Sequence, residues 1–348
     1  MRATRSTISR LATIIVLAVL FDFPCSASSP AVASNDQSAR NGLRLYQQNK
    51  FVEAMELLKA ARSEKPQDIS TLYYLGMSAL GANDKALAIE ALSGVVVMTL
   101  ADNQFHQNAL IALDRNFKIT PYSCMQKNEG AHKGGTVVRW TTESQPLKIF
   151  ISHGISLPLN CYKGYMNDEE LRETASALKQ RDFVSSLGTV ANYVPEFRQY
   201  ALEGLKQWDW AKEERFLDYV LTEKVEEADI VLFWSPTLPG VGGVSNLPAA
   251  AAQPVIIQIS VDNLHNQTNR VDALKSLVAH EFGHAFGLAH TAVPRSIMNT
   301  LETITESPGQ EYPRVSNNDK VTLRALYNTW PRQATYPGVV LFSVVKRR

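Results

Sequence analysis

Two patterns of apolar spacing divide the chain. From Asp36 to Phe117 the apolar side chains recur at helical intervals, and Leu43, Tyr46, Phe51, Ala54, Leu57 and Leu58 cover one side of a helix pair with its turn at Asn49-Lys50. The pattern then repeats: Gly42 and Gly76 lie 34 residues apart, Ala54 and Ala88 keep that interval, and Leu80 answers Tyr46. Pro66 ends the first unit, while Gly81-Ala82-Asn83-Asp84 turns the second. Residues Gln104 to Asn116 match a third unit poorly and are expected to form a capping helix. Small residues at fixed positions predict close approach of antiparallel helices, with the larger apolar side chains filling the seam.

Beyond a polar linker over 118–135, which opens on Ile119-Thr120-Pro121, the spacing changes. Short strands are expected at Val137 to Trp140, Leu147 to Ser152, Phe216 to Val220, Ile230 to Trp234 and Val255 to Ser260. A helix around Tyr193 to Trp208 presents Val194, Phe197, Tyr200, Ala201 and Leu205 on one side, and Pro236 to Gly243 is a loop dense in proline and glycine. The stretch 136–330 is long enough for one domain with a substantial core. The tail, 331–348, reads as a packed or frayed extension, with a strand over Val339 to Val345 as the alternative.

The first residues change the compartment. Arg2, Arg5 and Arg10 precede an apolar run from Leu11 to Phe21 that is too short to span a bilayer comfortably, so residues 1–33 are expected to be an export signal cleaved after Ala27 or Ala33. An uncleaved anchor is the alternative. Phe23-Pro24 fits poorly before a lipoprotein cysteine at Cys25. Export implies an extracytoplasmic protein, secreted or periplasmic, with no stable transmembrane segment after cleavage. It would also allow one bridge between the remaining Cys124 and Cys161, the alternative being two unpaired thiols.

Of the 348 residues, 45% are hydrophobic and 20% charged, which suits a soluble two-domain protein. Loss of residues 1–33 removes three arginines and one aspartate and takes the formal charge from +1 to −1. No basic stripe with interleaved aromatics remains, so nucleic acid is not an expected partner.

The chemistry is concentrated in His280-Glu281-Phe282-Gly283-His284-Ala285-Phe286-Gly287-Leu288-Ala289-His290. On a helix, His280 and His284 share one face and Glu281 sits beside them, within reach of a metal-bound water. Gly287 can end the helix in a left-handed conformation and swing His290 back as a third ligand. A water would fill the fourth position. The competing reading is three histidines decorating an ordinary amphipathic helix, and the full spacing argues against it. His106, His132 and His153 lack ligand spacing, and His265 lies in a polar, Asn-rich loop where it could contribute only weakly to a calcium or cleft neighbourhood.

This stretch resembles the zinc-binding signature of the metzincin metallopeptidases, and Ser296-Ile297-Met298 resembles their Met-turn. Ala228-Asp229-Ile230, the strand before the helix, Thr291 and the stretch from Val315 through Asp319 to Tyr327 follow the order of matrixin-like members, with Ser316 and Asp319 able to cap the closing helix reciprocally. The resemblance implies an α+β, zincin-like fold: a twisted mixed sheet packed on helices, with a cleft under an edge strand. Met298 would then be an apolar floor beneath the imidazoles and not a ligand. It also implies that the strand near Val255 to Ser260 pairs with an extended substrate, while Leu301 to Ile304 and Tyr312 to Val315 wall a pocket. Thr291 stands where matrixins commonly carry serine. The loop before Gly243 lacks the run of histidines and aspartates of a calcium or second zinc site, so Ca2+ is left without assigned ligands. No tyrosine follows the Met-turn, since Asn299 and Thr300 stand there. The N-terminal region, an all-α antiparallel helical-repeat domain, resembles tetratricopeptide repeats.

Together these readings predict an exported Zn2+ endopeptidase that acts on peptides or proteins. Neutral His280, His284 and His290 would hold the metal, and Glu281 would be general base and then acid. The helical repeats would recruit a protein partner or serve as a packing module. A zinc-stabilised or inactive binding adaptor is the alternative, disfavoured because structural zinc usually takes four protein ligands.

Overall fold

In the computed structural model the first described elements are helices packed in sequence order: α1 (Asp36–Gln47), α2 (Phe51–Glu64), α3 (Ile69–Gly81), α4 (Lys85–Val97) and α5 (Gln104–Phe117). The structure describes residues 36–66, 68–127, 135–141, 144–158, 161, 166–248, 254–265, 270–299, 311–329, 334–336 and 339–344; the expected export signal and the 301–304 pocket wall lie outside them. Side-chain oxygens start α3, α4 and α5. Asp68 accepts from the Ser70 amide, Asp84 from Leu87 and Asn103 from Phe105, each satisfying a backbone donor that the helix itself cannot pair. Asn49 and Asn83 turn the chain with positive φ, where asparagine is tolerated. A β-carbon on Gly42 would fall 2.7 Å from Leu58 Cγ, and one on Gly76 would fall 2.7 Å from Leu92 Cγ. The same helix-to-helix approach thus recurs at the interval read from the sequence.

The second region follows as β1 (Gln126–Lys127), β2 (Gly135–Trp140), β3 (Leu147–Ile151), α6 (Asp168–Ala177), α7 (Arg181–Ser186), α8 (Glu196–Lys206), α9 (Asp209–Glu213), β4 (Tyr219–Leu221), β5 (Ile230–Ser235), β6 (Gly243–Ser245), β7 (Val255–Ser260), α10 (Val261–His265), α11 (Arg270–Ala285), α12 (Asn317–Asn328), β8 (Ala334–Tyr336) and β9 (Val339–Val344). The main sheet has the order β4-β3-β5-β7-β6, parallel except for β6, which runs antiparallel to β7. A smaller sheet, β1-β2-β9-β8, joins β2 to the C-terminal strand β9 in parallel.

Strands β5 and β7 are buried along their whole length because helices cover both faces, as expected of parallel strands. Alternate residues go to alternate sides. Ile230, Leu232, Trp234, Ile257 and Ile259 face α8 and α11, whereas Val231, Phe233 and Ile256 join Leu178 and the α6–α7 side. Cys124 is buried in the first core and Cys161 in the second, and no disulfide joins them. No described helix is long and apolar enough to cross a membrane. This is a mixed α+β domain preceded by a mostly helical region.

Two expectations are corrected. Val255 to Ser260 is not a docking edge: β7 is bonded to β5 on one side and β6 on the other, so among the described residues the free edge nearest the histidine helix belongs to β6. The strand expected at Phe216 to Val220 is β4, shifted to Tyr219–Leu221, because Phe216 is drawn into ring contacts with Trp210 and Tyr327.

Candidate metal centre

Helix α11 carries His280 and His284 one turn apart and ends where buried donors take its last carbonyls. The Trp208 indole N–H donates to Ala279 O at 3.0 Å, the Trp140 indole to Ala285 O at 2.7 Å and the Tyr327 hydroxyl to Phe286 O at 2.9 Å. Gly287 has φ +101, a conformation open to glycine, and the Val138 carbonyl packs so closely that a β-carbon there would overlap it. The chain turns at this point. The Leu288 amide bonds back to Gly283 O at 2.9 Å, and His290 returns to the helix face.

The three imidazoles meet. Nε2 of His290 lies 3.3 Å from Nε2 of His280 and 3.0 Å from that of His284, and the candidate ligand atoms all fall within 4.8 Å of one another. Two of the opposite ring nitrogens are committed: His280 Nδ1–H donates to Ile297 O at 2.7 Å and His284 Nδ1–H to Leu288 O at 2.8 Å. Those bonds fix the tautomer and leave Nε2 lone pairs facing each other. Lone pairs at this distance repel, and a cation between them reverses the sign. Tetrahedral zinc with bonds of about 2.0–2.1 Å needs nitrogens about 3.3 Å apart, so the donor set fits Zn2+. Burial lowers the pKa of all three histidines, to about 4 at His280 and well below the ordinary range at His284, where neighbouring imidazoles add to the effect. They are therefore neutral near pH 7, the form that binds metal.

Glu281 is 4% exposed, and its Oε2 is an orphaned polar atom without a partner. Burial pushes the carboxyl up to about 8, while a dication beside it would act in the opposite sense. Oε1 faces the edge strand: a β-carbon on Gly243 would lie 2.8 Å from it. Gly243 is thus a site residue that sequence reading left in a loop, although its pairing with Gly242 was the available signal.

Met298 is fully buried against Gly283 of the histidine helix, and its carbonyl accepts from the Thr291 amide at 3.1 Å. The turn is held by Asp319. One carboxylate oxygen accepts from Ser296 Oγ, and the other accepts from the Ile297 amide at 3.0 Å and the Ser316 amide at 2.7 Å. Sequence reading found the Ser316–Asp319 cap and missed this second duty, which has no signal in local spacing. Among the remaining histidines, His106 bonds Thr99 and His153 bonds Glu223; His132 and the side chain of His265 fall outside the described structure.

The Matrixin family model matches residues 196–328, which span α8 through α12 and contain all three histidines. A search of curated proteins finds no match to the chain.

Proposed function

We propose that this zinc metalloendopeptidase, whose catalytic half is matrixin-like, cleaves extended polypeptides with Glu281 as proton carrier and His280, His284 and His290 as zinc ligands. The observation that carries the reading is the convergence of the three imidazoles beside a buried carboxylate with a free oxygen. When bound, zinc supplies a Lewis acid that polarises the scissile carbonyl and acidifies water. Glu281 takes the proton of the attacking water and delivers it to the leaving amine, work that needs a carboxylate within hydrogen-bond reach of both. The unpaired side of β6 offers backbone donors and acceptors to an extended peptide, favouring cleavage within chains over trimming of their ends. Met298 serves as the apolar floor that holds the imidazoles in register.

The reading includes a division into an export signal (1–33), a tetratricopeptide-repeat-like module (36–117), a linker (118–135), the peptidase domain (136–330) and an extension (331–348). Its support is the apolar run behind three arginines and the recurring Gly42–Leu58 and Gly76–Leu92 approach. The protein would work outside the cytoplasm, and the repeats would be available to a protein partner. The test is Glu281→Ala assayed on unfolded protein. Stoichiometric zinc with hydrolysis lost is expected, as is chelator-reversible cleavage by the wild type. Retained cleavage in the variant would reject the role of Glu281, and zinc without cleavage in the wild type would favour the adaptor reading.

A further inference from the structure

The helical module is not loosely tethered. Gly94 on α4 packs against the Thr329 side chain just after α12, Arg62 on α2 donates to the Thr329 carbonyl, and the Cys124 amide donates to Val97 O at 3.0 Å. The segment leaving α5 is then threaded along α12, where the Thr120 amide donates to Asn318 Oδ1 at 2.8 Å and the Tyr122 amide to Thr322 Oγ1 at 3.2 Å. Tyr122 is 5% exposed, and its hydroxyl donates to Asp319 Oδ1 at 2.8 Å. Asp319 holds the Ile297 amide, and the Ile297 carbonyl holds His280 Nδ1–H. A residue well outside the matrixin-matched stretch is therefore joined to a candidate ligand through one carboxylate and one backbone residue.

We propose that Tyr122 is a positioning residue for the metal centre, through which the docked helical module fixes the Asp319 carboxylate and hence the orientation of His280. The inference rests on the zinc-peptidase reading of the site. Among the described residues Asp319 Oδ1 takes donors from Tyr122 and Ser296, whereas Oδ2 is shared by Ile297 and the Ser316 cap. Without the Tyr122 hydroxyl, Oδ1 is restrained by Ser296 alone, so the carboxylate can tilt toward the cap and the alignment of the Ile297 amide loosens. Burial and the neighbouring Asp319 charge both push the Tyr122 pKa well up, so the phenol keeps the proton it donates. Outer-shell partners of ligating histidines matter to metal affinity because they set ring orientation.

The test is Tyr122→Phe, which keeps the buried ring and deletes the hydroxyl, in the full chain with zinc alone as the probe. Chelator competition should show zinc held about tenfold more weakly, the low end for loss of an outer-shell partner, and cobalt substitution should give a shifted ligand-field spectrum. Leu113→Ala, in the module's core but off this path, should lower stability and leave zinc affinity as in the wild type. Equal zinc affinity in Tyr122→Phe and wild type would overturn the proposal, as would an equal loss in Leu113→Ala. If Tyr122→Phe does not fold, Thr322→Val removes the acceptor of the Tyr122 amide, together with that hydroxyl's own bond to Asn318 O at 2.7 Å, and must weaken zinc in the same direction; wild-type affinity there also overturns it. Failure of the wild type itself to bind zinc would instead remove the site reading on which the inference stands.

Discussion

Replacing Gly283 by alanine sets two opposed effects against each other in the middle of α11. Helix propensity alone favours the change by about 1 kcal/mol, since alanine loses less backbone freedom on folding than glycine. Packing opposes it. The added methyl would overlap Met298 Sδ and lie 3.2 Å from its Cε and 3.4 Å from Trp208 Cζ2, inside ordinary carbon spacings of about 3.5–4.0 Å. Neither neighbour can retreat easily. Trp208 is tied to Ala279 O, while the Met298 amide is bonded to Ser296 Oγ at 3.0 Å and its carbonyl to the Thr291 amide. Overpacking of this kind costs about 1–3 kcal/mol, and fixed neighbours put it near the top, so Gly283→Ala should destabilise by about 2 kcal/mol net. In a Met298→Ala background the main overlap disappears and the helix gain remains, so the same change should stabilise by about 1 kcal/mol. The difference is a coupling of about 3 kcal/mol, measurable from urea unfolding of the four proteins without zinc. Additive effects, or stabilisation in both backgrounds, would refute the packing argument.

Gly287→Ala should cost about 3 kcal/mol, combining the left-handed penalty with the clash at Val138 O. Thermal unfolding would register the loss, and equilibrium dialysis should show zinc binding falling as His290 is misdirected. His106 supplies a pH dependence of the helical module: burial lowers its folded pKa, so below the unfolded value near 6.5 the unfolded chain binds the proton that the folded chain does not. Stability linked to His106 is thus full above that range and declines as pH falls through it. The advantage of wild type over His106→Gln in denaturation midpoint should shrink from pH 7.5 to pH 5.5, and an advantage that grows on acidification would show the sign to be wrong.

The features legible from the residues alone are short spacings. His280 and His284 share a helix face because of the helical period, Gly287 returns His290 because only one residue type enters that conformation freely, and the Gly42/Gly76 interval repeats because adjacent helices need the same close approach. Each is a relation between neighbours in the chain, so periodicity and conformational preference suffice to read it. It took the packed fold to reveal that Asp319 grips Ile297, that Gly243 makes room for Glu281, that Trp140 and Tyr327 finish the histidine helix, and that among the described strands β6 and not β7 is the open edge. Those partners are brought together by sheet order and by burial of polar atoms that must find a mate wherever one is within reach, and linear spacing carries no record of that search.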